Sequence, residues 1–258
     1  MTAITHTVSD SLTMLRRDFR HLQRYPVMAI SGLIMPVFMM LLFVYVFGGA
    51  MLTTVGGGSY VDYLVPGILV MAVGAGSAGT AVNVNVDMTE GVIARFRTMA
   101  IARVSVLTGQ VVGSMIRTAV SLALVVGVAL LIGFRPRATF GDWLLAIAVL
   151  LMLTLALTWL AVAGGLAANK PEGANGFSLP FQFLPFISSA FVPTDSMAPG
   201  LAWFAQHQPF TPIIDTLRGV LTGTPIGNSG WLAVGWCLLA TLGGYFWARK
   251  LYNRDPSR

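Results

Sequence analysis

Long runs without a charged side chain, separated by short polar clusters, set the basic pattern of this chain. Such runs cover Val27–Gly49, Tyr63–Val86, Trp143–Asn169 and Gly173–Thr194; a shorter one, Thr118–Phe134, is extended backward by residues from Val104 onward, and the last covers Trp231–Ala248. A helix rises about 1.5 Å per residue, so about 20 apolar residues carry it across the hydrocarbon of a bilayer. There every backbone N–H and C=O must find its partner inside the segment, which leaves the helix as the form these runs take. The pattern predicts an all-α membrane protein with six transmembrane helices within residues 27–248, followed by a short tail, 249–258.

Three segments are patterned differently. Within residues 1–25, Ile4, Val8, Leu12, Leu15, Phe19 and Leu22 recur every three or four positions, and Arg16, Arg17, Arg20 and Arg24 fall on another face. That is an amphipathic interfacial helix lying along the membrane surface; the alternative is a basic flank with accidental periodicity. Between the second and third runs, Asp87 and Glu90 have capping-box spacing, and Val92, Phe96 and Met99 follow at i, i+4 and i+7. A short helix over about 88–103 is expected, with an apolar stripe and a side bearing Arg95 and Arg97. Residues 195–224 are apolar but interrupted by Pro199, Pro209 and Pro212. Proline breaks the hydrogen-bond ladder, so a re-entrant pair of short helices is expected there rather than a span.

Composition narrows the class. Hydrophobic residues make up 55% of the 258 and charged residues 10%, against about 25% charged in soluble domains; the mean hydropathy is +0.75. The net charge of +6 does not describe a nucleic-acid groove, because the basic residues sit in short clusters between apolar runs. With the N-terminus cytoplasmic, Arg16, Arg17, Arg20, Arg24, Arg95, Arg97, Arg103, Arg117, Lys170, Arg249, Lys250, Arg254 and Arg258 lie inside, and only Arg135, Arg137 and Arg218 lie outside. Thirteen against three places both termini in the cytoplasm. Arg135 and Arg137 run against the rule. Residues 1–25 lack the apolar core of a signal peptide, so none is expected to be removed.

Several chemistries find no residues. The two lysines, Lys170 and Lys250, follow no glycine-rich phosphate loop, so no ATP site of that kind is expected on this chain. His6, His21 and His207 have no i, i+4 partner, and no metal site is expected. Cys237, the single cysteine, reads as a small hydrophobe. No paired catalytic side chains stand at membrane depth. Intramembrane carboxylates are lacking, which opposes an ion-coupled transporter; Arg117 is expected near the cytoplasmic end of the third span, where it can snorkel.

The motifs, taken in order, resemble the membrane subunit (permease) of type 2 ABC transporters, in the branch that includes daunorubicin-resistance drug exporters. They are Tyr63-Leu-Val-Pro66-Gly67 at the second span; Glu90-Gly91, Arg95-Phe96-Arg97 and Ala102-Arg103 after it; and Phe191-Val-Pro193, Met197-Ala-Pro199, Trp203-Phe204, Gln208-Pro209 and Thr211-Pro-Ile-Ile-Asp215 with Arg218 and Gly223 near the end. Each motif is weak alone; their order covers nearly the whole chain. The resemblance implies a homodimer, or a heterodimer with a similar chain, in the cytoplasmic membrane. It implies two separate ABC ATP-binding subunits that carry the ATP and Mg, and no cofactor on this chain. It also implies that Thr89 to Ala102 is the coupling helix, with Glu90, Gly91, Val92, Arg95, Phe96, Arg97 and Met99 meeting the ATPase. The alternative for that segment is an arginine-rich retention signal. Export of a hydrophobic or amphipathic drug is the expected function; export of a lipid or lipid-linked glycan is the second expectation.

Further residues carry two readings each. Asn83 and Asn85 form a candidate gate, or lie at headgroup depth where an amide meets water. Asp215 and Arg218, at i, i+3, are expected to pair and hold the re-entrant turn, with substrate contact as the alternative. Trp203 and Phe204 read as interfacial anchors, as do Trp143 and Trp231. Gly109 and Gly113 match a close-packing spacing that a chain with 28 glycines also produces by chance.

Overall fold

The computed structural model describes residues 26–51, 59–89 and 103–252, with the backbone alone over 26–33 and 103–108. The expected interfacial helix, with Leu12, Leu15, Arg16, Arg17, Phe19, Arg20 and Leu22, lies outside the described residues. So do Glu90, Gly91, Val92, Arg95, Phe96, Arg97 and Met99 of the expected coupling helix.

Eight α-helices follow one another among the described residues. α1 (Pro26–Leu42) continues through a π-helical turn (Phe43–Phe47) into a last α turn (Gly48–Met51). α2 is Tyr60–Thr89, α3 Arg103–Ile132, α4 Phe140–Ala167 and α5 Pro171–Phe183. α6 (Pro199–His207), α7 (Phe210–Thr222) and α8 (Ser229–Tyr252) complete the chain. Both α2 and α3 have 30 residues, or about 45 Å of helix, longer than the roughly 30 Å hydrocarbon layer.

Among the described residues five helices are long and apolar enough to cross a membrane: the one ending at Met51, α2, α3, α4 and α8. The fifth expected span, Gly173–Thr194, is not a continuous helix. α5 has 13 residues, about 20 Å, and then gives way to a 3-10 turn at Leu184–Ile187. Absence of charge misleads here: Pro180 and Pro185 each remove a ladder donor, and Ser188 and Ser189 follow at once. The interrupted segment 195–224 forms the two short helices α6 and α7. Gly223 ends α7 in the left-handed conformation (φ 76°) that a residue with a Cβ adopts at a cost.

α2 is the centre of the bundle, packed against α1, α3, α4, α5 and α7. In its apolar stretch 78% of residues are buried, against 22% in α3 and in α8, so α2 is walled by protein while those two present apolar side chains outward. Leu131, Trp231 and Leu239 are 88%, 82% and 65% exposed, which fits hydrocarbon as the surroundings and not water. Close approach to α2 depends on small residues. A Cβ on Gly67 would stand 2.5 Å from the Cβ of Ala190, so Gly67→Leu is expected to cost about 1–3 kcal/mol by overpacking. A thermal melt of the detergent-solubilised variant checks this, with a midpoint unchanged from the native chain as the contrary result.

Candidate functional site

Two polar assemblies stand within this apolar bundle. The first gathers at the Tyr60 end of α2. Tyr60 and Tyr63 lie three residues apart, on one face of the first turns, and point at the backbone released after α5. The Tyr60 hydroxyl donates to the Phe191 carbonyl at 3.1 Å, and the Tyr63 hydroxyl to the Ser189 carbonyl at 2.9 Å. The Ser189 hydroxyl donates to Asp215 Oδ1 at 2.6 Å. Arg218, one turn further along α7, binds the same Oδ1 through Nη1 at 2.8 Å, the Ser189 carbonyl through Nη2 at 2.5 Å and the Tyr63 carbonyl through Nε at 3.3 Å. Its guanidinium also lies 3.8 Å from the Tyr63 ring centroid, a cation–π contact. The expected Asp215–Arg218 pair is thus formed, inside a larger network joining α2, the 188–191 turn and α7.

Gln208 holds the same break from beneath. Its Nε2 donates to the carbonyls of Leu184 and Ile187 at 3.3 and 2.8 Å, two acceptors left open where the helix stops. Trp203 and Phe204 face outward on α6, 63% and 40% exposed, with the Trp203 ring stacked on His207 at 4.7 Å. Arg135, which broke the charge rule, has a local task. Its Nη1 donates to the carbonyls of Leu130 and Phe134 at 2.8 and 2.9 Å at the end of α3, while its backbone N–H meets Asp62 at 3.0 Å. A cation at a helix C-terminus is favourable wherever the membrane lies.

The second assembly is a seam between α2 and α3. The helices run antiparallel, and Thr118, Ser114 and Gln110 follow one another at four-residue steps on α3 against Gly76, Thr80 and Asp87 of α2. Thr118 sits where a Gly76 side chain would be, its Oγ1 2.8 Å from that position. The hydroxyls of Thr80 and Ser114 hydrogen-bond at 2.5 Å, and Gln110 donates to Asp87. α2 runs on to Thr89, so Asp87 belongs to its last turn; Glu90, its expected capping-box partner, lies outside the described residues. Arg117 is half-buried and lies halfway along α3, not near its end. α3 begins at Arg103 and, at about 45 Å, exceeds the roughly 30 Å hydrocarbon layer, so the middle of the helix is still close to the start of a crossing that ends at Ile132.

Asn83 and Asn85 are not brought together. Asn83 is exposed and Asn85 is 1% exposed. Asn85 Nδ2 donates to the carbonyls of Gly165 and Ala168 at 3.1 and 2.6 Å, capping the end of α4 from α2. An amide at headgroup depth would have met water; this one is enclosed by protein. Asn85→Leu leaves those carbonyls without the amide and is expected to lower stability by roughly 1–3 kcal/mol while membrane insertion persists. Denaturation in detergent reads the effect, and an unaltered midpoint would remove Asn85 from this role.

Sequence reasoning missed Tyr60, Ser189 and Gln208 as structural partners. The available signal was the Tyr60–Tyr63 spacing, which puts two phenols on one face. Among the described residues no cluster of metal-ligating side chains occurs. A bundle of long helices that turn apolar side chains outward defines an integral membrane protein.

Residues 10–222 match the family described as ABC-2 type transporter, and the chain belongs to that family. Its members are the membrane subunits of ABC transporters and work with a separate ATP-binding subunit. The chain is 31% identical over 237 residues, 92% of its length and 82% of the relative's, to the daunorubicin resistance ABC transporter permease protein DrrB1 of Streptomyces coeruleorubidus. It is 26% identical over 220 residues, 85% of its length and 79% of the relative's, to the probable doxorubicin resistance ABC transporter permease protein DrrC of Mycobacterium tuberculosis.

Proposed function

We propose that this chain is the permease of an ATP-driven exporter that moves a hydrophobic or amphipathic drug-like compound out of the cell. The observation that carries the reading is the match of 92% of the chain, at 31% identity, to a daunorubicin resistance permease. Two copies form the pathway, and two ATP-binding subunits bind ATP and Mg on the cytoplasmic side. No reaction is catalysed on this chain.

The fold supports an assignment of sides. Lys170 follows the end of α4, Arg249 and Lys250 lie in the last turn of α8, and the segment 90–102 leaves α2 at Thr89 and enters α3 at Arg103. These ends are neighbours: Val84, Val111, Ala248 and Tyr252 share one apolar cluster, and Asn85 touches the end of α4. This end of the bundle is cytoplasmic by the positive-inside rule. The Tyr60–Arg218 network is then outer, and α5 with the 3-10 turn makes the remaining crossing, with α6 and α7 returning as re-entrant helices.

Coupling follows from the seam. Residues 90–102 form the coupling helix, and Gln110–Asp87 binds its two flanking helices to each other. A push on the loop by the closing ATPases therefore moves α2 and α3 together and not singly. Co-expression with its ATPase in a daunorubicin-sensitive cell is expected to lower intracellular drug and raise survival. Equal accumulation with and without the pair would refute export of this class.

A further inference from the structure

Beside the polar assemblies lies an apolar groove of about 280 Å³, set between α4, the end of α5, the start of α7 and α8. Leu157, Phe181, Ile213, Cys237 and Gly243 are among its lining, and no lining residue carries a charge, an amide or a hydroxyl. Its depth is given by the helices: Leu157 is central in α4 and Cys237–Gly243 central in α8, both membrane-crossing by length and hydropathy. The groove therefore opens at mid-bilayer level.

Adjacent glycines show how the groove is shaped. A Cβ on Gly244 would come within 2.8 Å of the Leu160 backbone nitrogen, so α8 touches α4 there, whereas a Cβ on Gly243 would meet nothing within 4 Å. One turn beyond Phe181 and Gly243, Phe177 and Trp247 meet edge to face at 5.5 Å and close one end. The open side is bordered by Leu239, which is 65% exposed. The groove is thus open toward the hydrocarbon on the Leu239 side.

We propose that this groove is a binding site for one acyl chain of a membrane phospholipid. Three considerations select that occupant. At about 280 Å³ the groove lies at the lower limit of pockets that hold drug-sized ligands, about 300–1,000 Å³, and above the about 150 Å³ that holds a single apolar ring, so its volume suits a slender occupant. A drug's hydroxyls or amines would find no partner here and would each lose about 1–3 kcal/mol; a methylene chain has none. The surroundings at this depth are acyl chains. Transfer from bulk lipid brings no hydrophobic gain, so the driving force is contact: an unfilled groove denies its lining atoms their dispersion partners, and a chain restores them. The site rests on the membrane-spanning reading alone and needs no ATPase.

The test uses the full-length chain in phosphatidylethanolamine vesicles doped with a phosphatidylcholine carrying a diazirine at mid-chain. Photolysis and peptide mass spectrometry locate the adducts. Ile213 on α7 and Cys237 on α8 line the groove at 2% and 1% exposure, while Leu242 on α8 is 54% exposed, so bulk lipid reaches Leu242, and labelling of the other two reports a chain seated in the groove. The native protein is expected to carry adducts on Ile213 or Cys237. Gly243→Phe, whose ring fills the open space, is expected to lose them and keep those on Leu242; Ala240→Leu serves in its place should Gly243→Phe fail to elute as a single species. Absence of adducts at both buried residues in the native chain, or their persistence in the folded filled variant, overturns the proposal. Loss of those adducts on adding daunorubicin assigns the groove to cargo and overturns it equally. Failure of drug export leaves these readouts untouched, so the two readings fall separately.

Discussion

Arg218→Gln is expected to abolish drug export and to lower the stability of the purified chain by roughly 1–3 kcal/mol, the range for leaving enclosed acceptors without their donor. The size follows from what one side chain holds. Its guanidinium binds Asp215, the Ser189 carbonyl and the Tyr63 carbonyl and lies on the Tyr63 ring, and it is only 14% exposed. Without it the Asp215 carboxylate keeps only the Ser189 hydroxyl, and the turn at 188–191 loses its tie to α2. Arg218→Lys is expected to rescue little, because an ammonium cannot present a planar fork to three acceptors at once. Asp215→Asn is expected to be milder: Asp215 is 36% exposed and the amide still accepts. Thermal melts of the three variants in detergent, with drug accumulation in cells, give the ranking; equal midpoints for Arg218→Gln and the native chain would show that the network does not hold the short helices.

Arg95→Glu combined with Arg97→Glu is expected to separate the permease from its ATPase. Two positive charges become two negative ones on a segment proposed to meet acidic residues at a groove rim, and like-charge contacts across an interface cost several kcal/mol. A loss of that size removes copurification of the ATP-binding subunit and all ATP-dependent transport, while the variant still inserts and folds. Pull-down through the permease reads it; undiminished recovery of the ATPase would end the assignment of residues 90–102 to coupling.

The spans were legible because lipid imposes its demand on every residue of a segment at once: α2, α4 and α8 could be read from unbroken apolar runs, and α3 from a shorter run extended backward past Arg117. The fifth run is not one continuous helix, for a reason equally physical. Lack of charge is necessary for a span but not sufficient, and Pro180 and Pro185 stop the ladder inside a segment that hydropathy alone passes. The Asp215–Arg218 pair was visible from its spacing, since i, i+3 neighbours on a helix meet without help from the fold. Its partners Tyr60, Tyr63 and Ser189 were not, because contacts over more than a hundred residues of sequence leave no local period. Asn85 was misplaced for the same reason: whether an amide near a helix end meets water or a second helix is decided by the end of α4, eighty residues away. Arg135 shows the converse, a charge that contradicts the topology rule until its capping contacts are seen.

Reconstitution tests the central claim most directly. The purified chain is placed in vesicles with its ATP-binding subunit, and uptake of the proposed hydrophobic or amphipathic drug is followed on adding ATP and Mg from outside. Complexes oriented with the ATPase outward are expected to concentrate the drug inside, and omission of either the ATPase or ATP is expected to leave passive leak alone. Uptake that proceeds at the same rate without the ATP-binding subunit would contradict the account.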